Sequence, residues 1–168
     1  MMCGRSKMLI LNSGGTLNKR YNALNGELEV PYDNFALEEI VRSCNEQFLI
    51  AGVIYKDSLE MDGHDRKKFA DIISHSDEDR FVIVHGTDTM DKSAEFLAEI
   101  FSENIIVLTG AMKPYEIDKT EASFNLGMAI GFAKIAHEPG VYICMNGYIE
   151  RWDCLQKNRK LGKFELVK

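Results

Sequence analysis

No apolar run in this 168-residue chain approaches the ~20 residues needed to cross a bilayer. The stretch Met1-Met2-Cys3-Gly4-Arg5-Ser6-Lys7 precedes only about five apolar-rich positions, too few for the core of a signal peptide. A basic excess is also missing. Lys and Arg number 20 against 26 Asp and Glu, for a net charge of −6. With no basic stripe either, nucleic acid is not an expected partner. Cysteine is sparse. Cys3, Cys44, Cys144 and Cys154 stand far apart with no CxxC pair. Reduced, structural thiols in a cytoplasmic protein are the expectation. The histidines His64, His75, His85 and His137 are scattered, so no metal site is expected, and His85 reads as structural. No linker, internal repeat or low-complexity segment breaks the chain. One domain over residues 1–168 follows, and 45% hydrophobic against 27% charged residues is the balance of a soluble domain with its own core.

What is present centres on Phe81-Val82-Ile83-Val84-His85-Gly86-Thr87-Asp88-Thr89-Met90. Four apolar, mostly β-branched residues read as a buried strand of a parallel sheet. An apolar-periodic run follows at Ala94, Phe96-Leu97 and Ile100-Phe101. It reads as a helix capped by Thr89 or Asp88. Gly86, Thr87 and Asp88 therefore stand at the carboxyl end of a central strand, the edge where open α/β sheets bind ligands.

Other strand ends carry similar chemistry. Lys7 to Asn12 reads as a strand that runs into Ser13-Gly14-Gly15-Thr16, where paired glycines allow a tight turn and close approach to a ligand. Leu17 to Val30 is not helical. Asn25-Gly26 marks a hairpin arm, with Tyr21 in it as a lid candidate. Asp33 or Asn34 caps a helix from Phe35 to Ser43, with Phe35, Leu37, Ile40 and Val41 on its inner side. A strand over Phe48 to Tyr55 ends in Asp57-Ser58-Leu59-Glu60. Ser58 and Glu60 either bind a ligand or cap the next helix, which carries Arg66, Phe69 and Ile72-Ile73. Asn104 to Thr109 is a further strand, ending in Gly110-Ala111-Met112-Lys113-Pro114. Glu121 to Ala136 is a helix in which Gly127 and Gly131 suggest close packing on the sheet. Val141 to Met145 is the last core strand, Asn146-Gly147 a turn, and Phe164 to Val167 a short terminal strand. The alternation predicts an α/β fold: a parallel-dominated sheet with helices on both faces and an N-terminal β-hairpin arm.

Singly, each turn is explained by capping or backbone bonding. Together, three strand ends and the tail residue Lys157 deliver hydroxyls, one Lys and one Asp to one side of the sheet. With little His or Cys chemistry, that set points to a threonine nucleophile. A threonine hydroxyl needs an aligned base, and a desolvated lysine beside a carboxylate is one way to supply it.

In these residues the chain resembles the bacterial-type L-asparaginase family of amidohydrolases. Ser13-Gly14-Gly15-Thr16-Leu17 is similar to that family's Thr-Gly-Gly-Thr-Ile. His85-Gly86-Thr87-Asp88-Thr89-Met90 matches its second signature in full. Gly110-Ala111-Met112-Lys113-Pro114 resembles its Gly-Ala-Met-Arg-Pro. Phe124-Asn125-Leu126 and Met145-Asn146 also fit, and Lys157 falls where the family has its catalytic lysine. The resemblance implies that Thr16 attacks the side-chain amide to form an acyl-enzyme, with Tyr21 as the lid tyrosine. It implies that Thr87, Asp88 and Lys157 form the second half of the site, and leaves open which threonine acts first. Asp88 would bind the substrate ammonium and Ser58 its carboxylate. Gly15, Asp57, Gly86, Thr87 and Ala111 complete the binding set, the N–H of Thr87 helping to hold the oxyanion. No cofactor is implied. Leu59 stands where many members carry a polar residue, and Lys113 replaces an arginine. Typical members continue into a second domain. This chain resembles a short single-domain form, for which a homodimer or homotetramer is expected. The expected reaction is L-asparagine to L-aspartate and ammonia. The alternatives are an amidase for another small or N-modified amide, and a silent amino-acid-binding module.

Overall fold

A computed structural model describes residues 7–167. Cys3 and the rest of the Met1-to-Ser6 stretch lie outside the described residues. The frame is a six-stranded sheet. Its strands are β1 (Met8–Gly14), β4 (Leu49–Lys56), β5 (Arg80–Val84), β6 (Ile105–Thr109), β7 (Gly140–Met145) and β8 (Tyr148–Arg151). The order is β4-β1-β5-β6-β7-β8. Every pair is parallel except β7 with β8. The β7–β8 link is the two-residue turn Asn146-Gly147, with φ of 50° and 97°. Those angles suit the tight hairpin that this dipeptide favours.

Side chains alternate across the sheet. Ile10, Val82, Val84, Val107 and Cys144 face one layer, built from α1 (Phe35–Val41) and α4 (Lys119–Ile135). Leu11, Phe81, Ile83, Leu108 and Ile143 face the other, built from α2 (Gly63–Ser74) and α3 (Met90–Ile100). The expected sheet with helices on both faces is what the chain forms. The arm is also as expected, an antiparallel pair of β2 (Arg20–Asn22) and β3 (Glu27–Glu29).

Several local expectations need correction. Phe35 is half exposed and lies under the Arg20 guanidinium, while Ala36 and Leu37 supply the buried face of α1. Gly127 and Gly131 do not mediate packing. A side-chain carbon at either would meet open space, and Ala122, Ala129 and Ala133 make the contact instead. Neither Ser58 nor Glu60 caps α2. Asp62 does, in a reciprocal capping box with Asp65, a pattern that favours acidic side chains on the free N–H groups of a first turn. The tail from Tyr148 is more ordered than its polarity suggests. β9 (Leu155–Asn158) and β10 (Lys163–Leu166) pair as a hairpin whose Leu155 and Phe164 enter the core.

The chain steps from β1 outward to β4 and then crosses to β5 on the opposite side of β1. The sheet's topological switch point therefore lies between the carboxyl ends of β1 and β5, and a crevice is expected there.

Candidate active site

The loops at the switch point are in close contact. Gly15 has φ +71°, and a β-carbon on it would sit 2.4 Å from the Gly86 nitrogen. Only glycine satisfies both the backbone angle and that approach. A β-carbon on Gly86 would in turn sit 2.6 Å from the Ser58 hydroxyl oxygen. Gly15, Gly86 and Ser58, from three separate strand ends, thus form one floor. The Gly15 N–H donates to the Lys56 carbonyl at 2.9 Å, and the Ser13 hydroxyl donates to the Val84 carbonyl at 2.7 Å.

Thr16 begins a short 3-10 turn, Thr16–Asn18. That turn is fixed from inside by buried asparagines. Asn12 and Asn18 exchange side-chain hydrogen bonds at 3.2 and 2.9 Å. Asn12 also donates to Asn34 and accepts from the Gly14 N–H. Asn12 follows four apolar residues, and a polar side chain at the end of such a run is a signal that could have marked it. The Thr16 hydroxyl itself has no hydrogen bond among the described residues.

The second half of the site is assembled around Lys157, carried by β9. Its Nζ lies 2.8 Å from Thr87 Oγ1 and 2.8 Å from Asp88 Oδ1. The ammonium donates to both. Side-chain exposure is 15% for Lys157 and 33% for Asp88, so the pair is only partly screened by water. Arg159, from the same hairpin, donates to the Asp88 carbonyl at 2.7 Å. A cleft of about 300 Å³ opens here, with Thr87, Asp88 and Lys157 in its wall. An ammonium held on a threonine oxygen favours negative charge developing there.

Ser58 is 1% exposed, and its hydroxyl oxygen has no hydrogen-bond partner among the described residues. Buried hydroxyls are rarely left unpaired, so this one stands out as an unsatisfied polar group in the site floor. Its backbone is held by the Thr89 hydroxyl, which donates to the Ser58 carbonyl at 2.7 Å. Thr89 stands at the N-cap of α3, as expected, yet makes no side-chain capping bond. Asp57 accepts from Lys19 Nζ at 2.6 Å and from the Leu59 N–H at 3.1 Å. Burial works against its charge, but Lys19, that N–H and the nearby charge of Lys157 hold the carboxyl below the usual range. Lys19 was not legible as a site residue, since nothing in its spacing marks it. Leu59 is exposed.

Ala111 is buried at the end of β6. Asn125 donates to the adjacent Gly110 carbonyl at 2.9 Å and accepts from the Asn146 N–H at 3.0 Å. Tyr21 is set apart from this cluster. It is 58% exposed on the arm, and its hydroxyl lies beside Gly26. Its backbone N–H donates to Glu116 at 2.8 Å. A mostly apolar cavity of about 240 Å³ lies under the arm between Leu17, Phe35 and Tyr115 and holds none of the candidate catalytic groups.

His85 is fully buried. One ring nitrogen faces the Gly86 carbonyl at 2.7 Å and the other the Ser93 hydroxyl at 2.7 Å. A carbonyl only accepts, so Nδ1 carries the proton and Nε2 accepts from Ser93. Arg66 donates to the same hydroxyl at 3.1 Å. Burial pushes the His85 pKa down to about 4. The ring is neutral and supports the loop from behind. Among the described residues, no three His, Cys, Asp or Glu side chains are grouped to hold a metal ion, and no helix is long and apolar enough to cross a membrane.

Residues 7–161 match the family model described as Asparaginase, N-terminal. The glutaminase-asparaginase of Pseudomonas aeruginosa is 32% identical over 160 residues, 86% of this chain and 43% of that protein. One component of the glutamyl-tRNA(Gln) amidotransferase of Methanococcus maripaludis is 32% identical over 149 residues, 82% of this chain and 34% of that one. L-asparaginase I of Vibrio cholerae superposes with a TM-score of 0.77 at 25% identity, over 96% of this chain and 50% of that chain. The thermostable L-asparaginase of Thermococcus kodakarensis gives 0.83 at 23% identity, over 96% and 51%. The chain thus spans about half or less of the length of these relatives.

Proposed function

The chain belongs to the asparaginase family, matching its N-terminal domain, and from that premise we propose that it hydrolyses a carboxamide, L-asparagine, to L-aspartate and ammonia. The observation that carries the reading is Lys157, bonded at 2.8 Å to both Thr87 and Asp88. A binding module has no need of that arrangement.

In this reading Ser58 donates its unpaired hydroxyl to the substrate α-carboxylate, and Asp88 takes the α-ammonium. The Thr16 oxygen bonds to the side-chain amide carbon, the C–N bond breaks, and the nitrogen leaves as ammonia with the threonine proton. The N–H of Thr87 faces the oxyanion. Water then cleaves the ester, with Thr87 and Lys157 guiding the proton, and Thr16 is restored. Tyr21 acts from the arm once it closes over the substrate.

The amidotransferase relatives favour a second reading, in which the released amide nitrogen is passed to a further acceptor. A homodimer or homotetramer is also proposed, and sedimentation of the purified chain tests it. The decisive experiment is ammonia release from L-asparagine and L-glutamine by wild type, Thr16→Ala and Thr87→Ala. The expected result is release from asparagine and a loss of about 10³-fold or more in each variant. Folded wild type that releases no ammonia from either amide would refute the reading.

A further inference from the structure

The turn that carries Thr16 is held by the Tyr115 N–H, which donates to the Leu17 carbonyl at 3.0 Å, and at three further points. Gly15 is held through its N–H on Lys56, Asn18 through buried Asn12, and Lys19 through Asp57. The first two lie inside the protein. The third lies at the rim of the site, with side-chain exposures of 24% for Lys19 and 29% for Asp57. It is also the one side-chain bond, among the described residues, between the segment from Thr16 through the arm and the loop that presents Ser58. Lys19 is three residues past Thr16, and Asp57 immediately precedes Ser58. The pair joins the segment of a candidate nucleophile to the loop of a buried hydroxyl that has no partner among the described residues.

We propose that the Lys19–Asp57 ion pair is a positioning latch of this site, setting Thr16 against the ligand-binding hydroxyl of Ser58. The proposal rests on the amidohydrolase reading for its catalytic consequence, although the latch itself does not. The charged groups acting on Asp57 are Lys19 and, from β9, Lys157. With Lys19 neutralised, Asp57 keeps only the Leu59 N–H and the more distant charge of Lys157. Breaking the latch therefore loosens the Thr16 turn at its Lys19 end. A partly exposed pair adds little to global stability, so its effect belongs to geometry. Small misplacements of reacting groups are costly, on the order of 10²-fold per ångström.

The test uses wild type, Lys19→Met, Lys19→Arg and Asp57→Asn. Lys19→Met is expected to lower kcat for L-asparagine by about 10- to 100-fold with KM within about threefold. Its melting temperature moves by no more than about 3 °C. In the same variant the Asp57 carboxyl, followed by NMR, titrates at higher pH than in wild type, and amide exchange quickens across residues 15–19 but not in β5. Asp57→Asn lowers kcat likewise, and Lys19→Arg recovers most of it. A Lys19→Met kcat within about threefold of wild type overturns the proposal, as does an unmoved Asp57 titration with unchanged exchange. Wild type without turnover sinks the proposed function instead. The titration and exchange then decide the latch without it.

Discussion

Replacing Lys157 with methionine removes one ammonium and leaves two groups behind. The Asp88 carboxylate loses a partner at 2.8 Å and the Thr87 hydroxyl loses a donor at 2.8 Å. At that separation the gross attraction is about 6 kcal/mol for an effective dielectric of ~20. Most of it is offset by dehydration and side-chain ordering. A fully exposed pair would retain roughly 0–1 kcal/mol. With side chains 15% and 33% exposed, and a charged donor serving two acceptors, the net loss of stability is about 1–3 kcal/mol. That corresponds to a drop of about 3–10 °C in melting temperature. The catalytic loss is larger, about 10²- to 10⁴-fold, because the Thr87 oxygen loses the group that favours charge on it. The assay is ammonia release from L-asparagine, with melting by circular dichroism. Lys157→Arg separates the two effects. A guanidinium keeps charge beside Asp88 but cannot place a compact donor on Thr87, so stability recovers and turnover does not. A methionine variant that keeps more than about a tenth of the activity at an unchanged melting temperature would refute the assigned role.

Gly86→Ala places a β-carbon 2.6 Å from the Ser58 β-carbon and hydroxyl. It is expected to cost about 1–3 kcal/mol and to spread the site floor; urea unfolding of Gly86→Ala with and without Ser58→Gly checks this, since the second change restores room but not turnover. Neutral His85 gives an acid dependence. Its folded pKa of about 4 lies below the ordinary 6.5, so its contribution is complete above about pH 6.5 and is lost as pH falls towards 4. That loss is about 3 kcal/mol in all, and a His85→Gln chain with equally steep acid destabilisation over that window would contradict it. Asp65 is 2% exposed, closes the capping box of α2 by accepting from the Asp62 N–H, and accepts from Lys56 and Lys68 at 2.7 and 3.3 Å. Both lysines can return to water, so Asp65→Ala should cost about 1–3 kcal/mol, measured by thermal melting, with Asp65→Asn retaining part of the capping bond.

The site was legible where chemistry sits at the end of a strand. Phe81 to Val84 had to be a buried strand, so Gly86, Thr87 and Asp88 had to emerge at its carboxyl edge. Ser13 to Thr16 and Asp57-Ser58 followed in the same way. Helix faces were legible where alanines and leucines repeat, as at Ala122, Leu126, Ala129 and Ala133. Reading failed where a residue type has two uses. Gly127 and Gly131 looked like packing contacts, but glycine is equally tolerated on a solvent face. Phe35 looked like core, yet it is half exposed beneath the Arg20 guanidinium. Lys19 and Arg159 carry charges like any surface residue, and only their distant partners, Asp57 and the Asp88 carbonyl, distinguish them.

Local sequence alone determined the parallel strands, the hairpin arm and the polar residues at each strand end, because those depend on backbone sterics and apolar periodicity over a few residues. Tertiary structure decided which ends meet. The reversal of strand order at β1 and β5 brings Gly15 onto Gly86. The docking of Leu155 and Phe164 in the core carries Lys157 to Thr87 and Asp88. Contacts between residues some seventy positions apart are set by burial of whole faces and by strand order, and no local preference encodes them.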